Sequence, residues 1–264
     1  MVISGGESAT VVKMLCRYPI KGMRAEKLAE VALQESQTMP FDRMYAVENG
    51  QGRFDPMAPK YLPKVNFLML MRNERLATLE TEFDTETHVL TIKRDGKQVA
   101  RGALNTPIGR TMIEQFLAAY MKDDLRGAPR IVWSQGHSFS DVSSKVLHIV
   151  NLASVRELER LAGRTVDPMR FRANIYVDGF EPRAEIKWLD REIVIGPVRL
   201  GVTALSDRCE ATNVEPSSGT RDISIPSLIE RSFGHTDFGV YARVVSDGVV
   251  RINDPVTEVA PQSS

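Results

Sequence analysis

The amino-acid sequence predicts a mainly β protein with a few helices, and the short strands joined by tight turns in its first part suggest a β-barrel or a sandwich there. Short segments that suit half-buried strands recur along the chain, and several of them alternate apolar and polar residues. Turn signals such as Asp95-Gly96 and Asp247-Gly248 separate these segments. The length of 264 residues suits one large domain or two small ones, and a linker-like stretch at 121–129 predicts domains at residues 8–122 and 123–260.

The first domain is expected to consist of short strands followed by one helix. Cys16 falls inside the first apolar run and is therefore expected in the core. Asp95-Gly96 indicates a hairpin, and Thr106-Pro107 starts a segment whose apolar residues change to helical spacing. The predicted elements are strands at 11–20, 41–48, 65–72, 77–83, 89–94 and 98–101, a segment at 27–33 that suits a strand or a helix, and a helix at 107–120.

The second domain is expected to combine strands with two short helices. Ser154 is predicted to cap the first helix, with Glu157 completing a capping box and Gly163 ending it. Gly234 is predicted to end the second helix, and residues 260–264 are expected to form a disordered tail. The predicted elements are strands at 145–150, 171–177, 192–195 and 198–204, helices at 154–161 and 228–233, and a hairpin of 240–245 with 248–251.

Composition and charge exclude several classes of protein. The 34 basic and 34 acidic side chains give a formal net charge of zero, which removes the electrostatic argument for nucleic-acid binding. No apolar run approaches the roughly 18–20 residues that span a bilayer, and the N-terminal residues lack the features of a signal peptide. Two cysteines cannot form a disulfide framework or a four-cysteine iron–sulfur site. We therefore expect a cytoplasmic protein without nucleic-acid or membrane partners.

One of the two cysteines lies in a setting that is unusual for a structural thiol. Cys209 falls in a polar, turn-rich stretch between two strand-like segments, and Arg208 precedes it. A neighbouring cation favours the thiolate, which is the form that attacks electrophiles or binds metal. Because a lone cysteine is more often inert and buried, the surrounding residues must decide between these interpretations.

Several basic and polar residues occupy positions where a core strand gains nothing from them. Lys21 and Arg43 follow or interrupt strand-like segments of the first domain. Arg170, Arg172 and Asn174 alternate with apolar residues, so all three are expected on one strand face. Cations gathered around a thiol would form a site for an anionic group such as phosphate. The alternative is an ordinary solvated face of basic side chains.

A set of separated segments occurs in a specific order and spacing. They are Tyr18–Gly22, Asp42–Val47, Asn151–Val155, Phe171–Ile175, Trp188, Arg208-Cys209, Thr212, Pro216–Gly219 and Phe238–Tyr241. Together they resemble the MOSC superfamily, the domain shared with molybdenum-cofactor sulfurases. From about Val11 to Val256, the chain more closely resembles two-part members related to the mitochondrial amidoxime-reducing component and its bacterial counterparts. This resemblance implies that a MOSC N-terminal β-barrel-like domain packs on a C-terminal MOSC β-barrel.

The resemblance also implies a cofactor, molybdenum–molybdopterin, in which a pyranopterin dithiolene carries one molybdenum atom. Cys209 would be the one protein ligand to the metal, and thiolate is a soft ligand that suits it. The residues implied to hold the phosphate and pterin are Lys21, Arg43, Arg172 and Asn174, with Asn151 and Ser154 at the start of the short helix and further contacts from Asp207, Arg208 and Tyr241. Ser154 would then be both a helix cap and an anion contact.

The chain departs from the family pattern at two places. Gly22 directly follows the motif lysine, where the family often has Ser or a short polar insert. Arg53–Pro56 replaces a Thr-Ala-Arg-like segment near the expected mouth of the site, which leaves the substrate range open. Many bacterial relatives carry a ferredoxin-type domain whose cysteines this sequence lacks, so we expect electrons to come from a separate protein.

The predicted activity is that of a molybdenum oxidoreductase that removes oxygen from small N-hydroxylated compounds. Its electron donor would be a ferredoxin, a flavodoxin or a cytochrome b5-like protein with its reductase. Two alternatives stay open: Cys209 could carry a persulfide for sulfur transfer, or the chain could bind the molybdenum cofactor without turnover.

Of the four histidines, His137 is considered for a direct role because it lies in a polar loop. Trp188 and the Met-rich run at 67–71 are expected to pack in the core.

Overall fold

The computed structural model describes residues 9–50 and 52–259 and confirms the mainly β fold class. The predicted tail at 260–264 lies outside these residues. The described strands are β1 (Val11–Arg17), β2 (Glu26–Leu28), β3 (Glu30–Leu33), β4 (Ala46–Asn49), β5 (Glu80–Phe83), β6 (Val89–Arg94), β7 (Lys97–Ala103), β8 (Pro129–Val132), β9 (Leu147–Asn151), β10 (Ile175–Asp178), β11 (Glu192–Ile195), β12 (Val198–Asp207), β13 (Asp237–Val244), β14 (Gly248–Arg251) and β15 (Val256–Glu258). The described α-helices are α1 (Pro107–Tyr120), α2 (Leu152–Ala162) and α3 (Ile225–Phe233). None of these helices combines the length and the apolar character needed to cross a membrane.

One large sheet joins the two predicted domains. Its strand order is β15-β11-β12-β13-β9-β10-β1-β2, and neighbouring strands are antiparallel except for the parallel pair of β9 and β10. β1 and β2 come from the first predicted domain, and the other strands come from the second. Within the described ranges, the sheet runs from one edge strand to the other without closing into a ring. Backbone hydrogen bonds between β1 and β10 therefore tie the first domain to the second.

This sheet has a packed core on each of its faces, because successive residues of a strand point to opposite sides. Leu15 of β1 lies in a cluster around Trp188. Its neighbour Cys16 lies in a second cluster, which includes Val155 of α2 and Ile229 of α3. Cys16 and Trp188 are fully buried, which confirms their predicted core positions.

A separate core fills the first predicted domain and includes Ile131 of β8, which lies in the second predicted domain. α1 packs on β7 and β8, and its residues Ile113 and Leu117 are buried in one cluster with Leu90 and Ile92 of β6. β5, β6 and β7 form a three-stranded antiparallel sheet, and the predicted hairpin turns at Asp95-Gly96 between β6 and β7. β4 pairs with β8 beside this core.

The sequence predicts the bounds of α1, β6 and β11 correctly. Gly163 and Gly234 have left-handed backbone conformations directly after α2 and α3, which confirms both as helix-ending residues. β8 and β15 are not predicted: β8 begins in the stretch that was interpreted as a linker, and β15 has only three residues, too few to display a clear alternation.

Two predicted strand features are wrong. The segment at 65–72 contributes only an isolated bridge between Phe67 and Glu48, and it otherwise turns while Leu68 and Met69 fill the core. Its apolar run therefore reflects a buried loop and not a strand. β14 pairs with β3 and does not form the predicted hairpin with β13. Both edges of β13 are already occupied, by β12 and by β9.

Two glycines let α1 approach β7 closely. A Cβ atom on Gly109 would lie 2.2 Å from the Ala103 carbonyl oxygen, and one on Gly102 would lie 2.2 Å from the Gly109 carbonyl oxygen. Both distances are too short for real carbon–oxygen contacts. Because neither position carries a side chain, the helix and the sheet can lie this close together.

Replacing Gly109 with Ala should destabilise the fold, although the same change usually stabilises a helix by about 1 kcal/mol. The added methyl group would push α1 away from β7, and such overpacking typically costs about 1–3 kcal/mol. Urea unfolding should show a lower free energy of unfolding for Gly109→Ala. The exposed Thr111 of the same helix provides the control, since Thr111→Ala should change stability by less than about 0.5 kcal/mol. Equal or greater stability of Gly109→Ala would contradict this account of the helix–sheet contact.

Candidate functional site

The candidate site is built by the segments that follow β1 and β12 and by the segment that precedes β10. Because β1 and β10 are antiparallel, the end of β1 lies beside the start of β10. β9 is parallel to β10 and starts at the same side. β12 ends beside the start of β13, which lies at the other end of β9, because β13 runs antiparallel to β9. The segment before β10 connects the two places, since the Phe171 carbonyl oxygen accepts from Nη2 of Arg208 at 2.9 Å and the Phe171 ring stacks on Phe238.

A cavity of about 360 Å³ lies among these segments, between residues of both predicted domains. It contains eight of the ten predicted site residues, namely Lys21, Arg43, Arg172, Asn174, Asp207, Arg208, Cys209 and Tyr241. Its lining has more cations than carboxylates: the cations are Lys21, Arg43, Lys64, Arg172 and Arg208, and the carboxylates are Asp42, Asp141 and Asp207. This excess of positive charge suits an anionic ligand.

Two arginines of the cavity lie against one buried aromatic ring. The guanidinium carbons of Arg43 and Arg172 are 4.4 Å and 4.3 Å from the centroid of the Tyr18 ring. Tyr18 directly follows β1 and is only 1% exposed. Attraction between each cation and the ring face offsets part of the repulsion between the two guanidinium groups.

Protein acceptors hold both guanidinium groups in place. Asp42 accepts hydrogen bonds from Nη1 of Arg43 at 2.5 Å and from the Tyr18 amide at 2.8 Å. Nη2 of Arg43 donates to the Arg172 carbonyl oxygen at 2.9 Å, and Nη1 of Arg172 donates to the Met23 carbonyl oxygen at 2.8 Å. Both arginines have left-handed backbone conformations, with φ of 49° and 53°. Such strained conformations persist only where surrounding contacts hold them.

Lys21 brings a third cation into the cavity from a buried position. Its Nζ donates to the Phe139 carbonyl oxygen at 2.8 Å and to the Asp141 carboxylate. Burial lowers the pKa of Lys21, and the ion pair with Asp141 opposes this shift. Burial also acts to raise the pKa of Asp141, but the Lys21 ammonium outweighs it and lowers that pKa to about 2. The charge of Lys21 is therefore balanced by a carboxylate on the loop after β8.

The two cysteines lie in different surroundings. Burial raises the pKa of the Cys16 thiol to about 11. Cys209 comes two residues after β12, is half-buried and lines the cavity. Lys64 lies beside this thiol: partial burial acts to lower the pKa of Lys64, but Cys209 and then Asp141 outweigh it and raise that pKa. Cys209 is thus the accessible thiol of the described chain, and it has a positive charge next to it.

Arg208 presents an unused hydrogen-bond donor. Its Nη1 donates to Ser206 Oγ at 2.7 Å, and its Nη2 donates to the Phe171 carbonyl oxygen at 2.9 Å. Its Nε is buried and has no hydrogen-bond partner among the described residues. A buried N–H group without a partner is costly, so an acceptor that came within reach of this atom would stabilise the site. The adjacent Asp207 accepts from Thr236 Oγ1 at 2.5 Å.

The prediction that Arg170, Arg172 and Asn174 share one strand face is wrong. Pro168–Phe171 form a 3₁₀ turn, Arg172 follows it in a left-handed conformation, and β10 begins only at Ile175. Arg170 is turned away from this cavity, and its Nη2 pairs with Asp222 at 2.7 Å. The strand prediction fails because alternation of polar and apolar residues also occurs in an irregular buried turn.

Asn174 lines the cavity, but its side-chain amide is bound by the protein. Its Nδ2 donates to the Cys16 carbonyl oxygen at 3.2 Å, and its Oδ1 accepts from the His148 amide at 3.1 Å. It therefore bridges β1 and β9 at the point where β10 begins. The observed hydrogen bonds of Asn174 hold the strands that position the cavity. A direct contact between Asn174 and a ligand stays a prediction.

Asn151 and Ser154 do not line this cavity. Asn151 caps α2, since its Oδ1 accepts from the Ala153 amide at 3.1 Å and its Nδ2 donates to the Glu181 carbonyl oxygen at 2.8 Å. The predicted capping box at Ser154 and Glu157 is wrong, because α2 already begins at Leu152.

Ser154 instead forms a hydrogen bond with a buried carboxyl group. Its Oγ donates to Glu185 at 2.9 Å and accepts from the Arg183 amide at 2.8 Å. Glu185 is 1% exposed, and burial raises its pKa despite the hydrogen bonds from Ser154 and Asn151. These contacts place Asn151 and Ser154 in a structural network behind the site.

Sequence reasoning misses two residues that line the cavity, Lys64 and His148. Lys64 precedes an apolar run that was interpreted as a strand. Its positive charge at that position is the only feature of the sequence that could have identified it. His148 lies within β9 and is 5% exposed, and burial, followed by the charge of Arg208, lowers its pKa well below the usual range. His137 instead packs its ring against Phe54 and Phe139, with centroids 5.2 Å and 4.7 Å away.

The fold and the cavity define a β-rich protein of two joined parts, with cations and one cysteine thiol at their junction. Two family models match consecutive stretches of the chain: the MOSC N-terminal beta barrel domain at residues 9–127 and the MOSC domain at residues 134–257. The chain therefore belongs to the two-part MOSC proteins, which confirms the resemblance found in the sequence.

Two relatives are similar to part of this chain. Mitochondrial amidoxime-reducing component 1 of Mus musculus is 30% identical over 131 residues, which cover 45% of this chain and 37% of that protein. Molybdenum cofactor sulfurase 2 of Culex quinquefasciatus is 33% identical over 104 residues, or 35% of this chain and 13% of that protein. The matched regions span well under two thirds of the length of these relatives.

Solved structures also show similarity. The alignment with the YuaD protein from Bacillus subtilis covers 94% of both chains at 11% identity, with a TM-score of 0.44. The alignment with YiiM from Geobacillus stearothermophilus covers 43% of this chain and 53% of the YiiM chain at 20% identity, with a TM-score of 0.35.

Replacing Glu185 with Gln should make stability less dependent on pH. Burial raises the pKa of Glu185 in the folded chain above its usual 4.5, so the folded state binds this proton more tightly than the unfolded state does. The corresponding stabilisation is complete below the unfolded pKa and is lost as pH rises through the folded pKa. Urea unfolding between pH 4 and pH 8 should therefore show wild type losing stability relative to Glu185→Gln as pH rises.

The exposed Glu230 of α3 provides the control for this experiment. Glu230→Gln should differ from wild type by the same small amount at every pH. Parallel stability profiles of wild type and Glu185→Gln would show that Glu185 is not held in its neutral form by burial.

Proposed function

We propose that this chain is a cytoplasmic, molybdenum-cofactor-dependent oxidoreductase that removes oxygen from small N-hydroxylated compounds. The observation that carries the proposal is the half-buried Cys209 thiol, which faces a cation-lined cavity at the junction of two MOSC-type domains. Relatives named amidoxime-reducing component and molybdenum cofactor sulfurase support a function related to this cofactor. Electrons would come from a separate protein such as a ferredoxin, a flavodoxin or a cytochrome b5-like protein with its reductase.

The residues of the cavity fit a sulfur-rich, anionic cofactor. Cys209 offers a soft sulfur ligand, and the surrounding cations complement a phosphate group. The buried Nε of Arg208 lacks a partner among the described residues, so an acceptor on the cofactor would satisfy it. The volume of about 360 Å³ is within the range of small-molecule and cofactor sites.

Each part of the cavity would have a separate task in this function. Cys209 would hold the molybdenum, and Lys64 would place a positive charge beside its sulfur. Lys21, Arg43 and Arg172 would hold the phosphate and pterin, with the two arginines already oriented on the Tyr18 ring. When bound, the cofactor would supply the two-electron redox chemistry, and the protein would supply position and electrostatics.

Cys209→Ser should abolish reduction of N-hydroxylated substrates while the protein still folds. Protein from a host that makes molybdenum cofactor should reduce benzamidoxime with an artificial one-electron donor. The variant should lose at least about 100-fold, because even residues that only support a metal ligand contribute 10–100-fold. Cys16→Ser, at a cysteine that lies outside the cavity, is the matched control and should retain turnover when folded.

Two results would overturn this assignment. Turnover by Cys209→Ser at the wild-type rate would remove Cys209 from the reaction. Absence of turnover in wild type, together with a labile added sulfur on Cys209 in mass spectrometry, would favour the persulfide carrier.

A further inference from the structure

A second cavity lies directly beside the first. It has a volume of about 220 Å³ and shares part of its lining with the first cavity, at Gly22, Leu70, Arg172 and Ala211. Ala211 lies two residues after Cys209. The two cavities are therefore neighbours, and part of their shared lining lies near the candidate metal ligand.

Gly22 belongs to the lining of both cavities and has a backbone conformation that favours glycine. It has a φ of +81°, and a Cβ atom there would lie 3.0 Å from the Leu68 carbonyl oxygen. Gly22 is also the position where the sequence departs from the Ser or polar insert that is frequent in the family.

The walls of the second cavity suit a flat, apolar group. Tyr18, Met23 and Val214 are each 1% exposed and line it, together with Leu70 and Met169. Aromatic rings bind well against such a surface, and thioether side chains adapt to different shapes.

A buried arginine gives this cavity a polar anchor. Arg170 lines the cavity and is 3% exposed. Its Nη2 pairs with Asp222 at 2.7 Å and its Nη1 donates to the Asn213 carbonyl oxygen at 3.0 Å. Its Nε is buried and has no partner within the described residues. An acceptor atom on a ligand would satisfy this donor.

The surrounding charges disfavour a cationic ligand. Arg24, Lys27, Arg170 and Arg172 all line the second cavity. Asp167 also lines it, but its carboxylate accepts a hydrogen bond from the Met169 amide at 2.7 Å. The cavity therefore suits a neutral or anionic group, whereas a cation of the same shape would meet repulsion.

We propose that the second cavity binds the non-reacting body of the substrate, a flat apolar or aromatic group that is neutral or anionic and carries a hydrogen-bond acceptor. This inference rests on the proposed function, since the N–O group would then lie in the first cavity on the Cys209 side. The cavity would make the protein selective for N-hydroxylated compounds with an aromatic body over small hydroxylamines.

The test fills the second cavity and compares a small substrate with a large one. Met169→Trp adds volume at a half-buried wall position, and Met57→Trp makes the same change at a residue that is 90% exposed and lines neither cavity. With 4-carbamoylbenzamidoxime, Met169→Trp should lower kcat/KM by at least about tenfold, mainly through KM. With N-methylhydroxylamine it should change kcat/KM by less than about twofold, and Met57→Trp should affect neither substrate. Equal effects of Met169→Trp on both substrates, or none on either, would overturn the inference.

A binding measurement keeps the inference testable without turnover. Isothermal titration should detect benzamide binding to wild type, and Met169→Trp should weaken it by at least about tenfold. Benzamidinium, a cation of nearly the same shape, should bind at least about tenfold more weakly than benzamide. Equal binding of the two probes, or benzamide binding unchanged by Met169→Trp, would refute the cavity assignment. Benzamide binding of the expected kind in a protein that reduces no N-hydroxylated compound would instead refute the proposed reaction.

Discussion

The candidate site depends on holding two arginines against one buried tyrosine ring. Arg43 and Arg172 come from different predicted domains, and both lie against Tyr18, which follows the strand that joins those domains. Like charges in a buried site repel strongly. The ring face, the Asp42 carboxylate and backbone carbonyl groups together offset this repulsion. The interaction that shapes the cavity therefore also connects the two halves of the chain.

The large sheet explains why these residues meet. Tyr18 follows the end of β1, Arg172 precedes the start of β10, and Cys209 follows the end of β12. Antiparallel pairing places the end of β1 beside the start of β10, whereas β12 ends at the other end of β9. The segment before β10 connects the two places, because Phe171 contacts both Arg208 and Phe238. Asn174 stabilises the place where β10 begins, since its amide bridges the backbones of β1 and β9. The rigid part of the fold thus ends where the irregular, charged segments begin.

The sequence was sufficient to predict features with a local signature. A helix such as α1 has an N-terminal cap and helical spacing, and Cys209 has a polar setting that marks it as unlike Cys16. Features that depend on distant partners were not predictable in this way. Lys64 reaches Cys209 through tertiary packing, and β14 pairs with β3 because β13 has no free edge. Ser154 has the sequence pattern of a helix cap, but its nearest acceptor is the buried Glu185.

The most direct test of the account is the metal and pterin content of the protein purified from a host that makes molybdenum cofactor. Wild type should contain near-stoichiometric molybdenum and pterin. Cys209→Ser should lose most of its molybdenum, since the metal would lack its protein ligand. A folded wild-type protein without molybdenum or pterin would contradict the assignment of the cavity, and equal molybdenum in wild type and variant would contradict the role of Cys209.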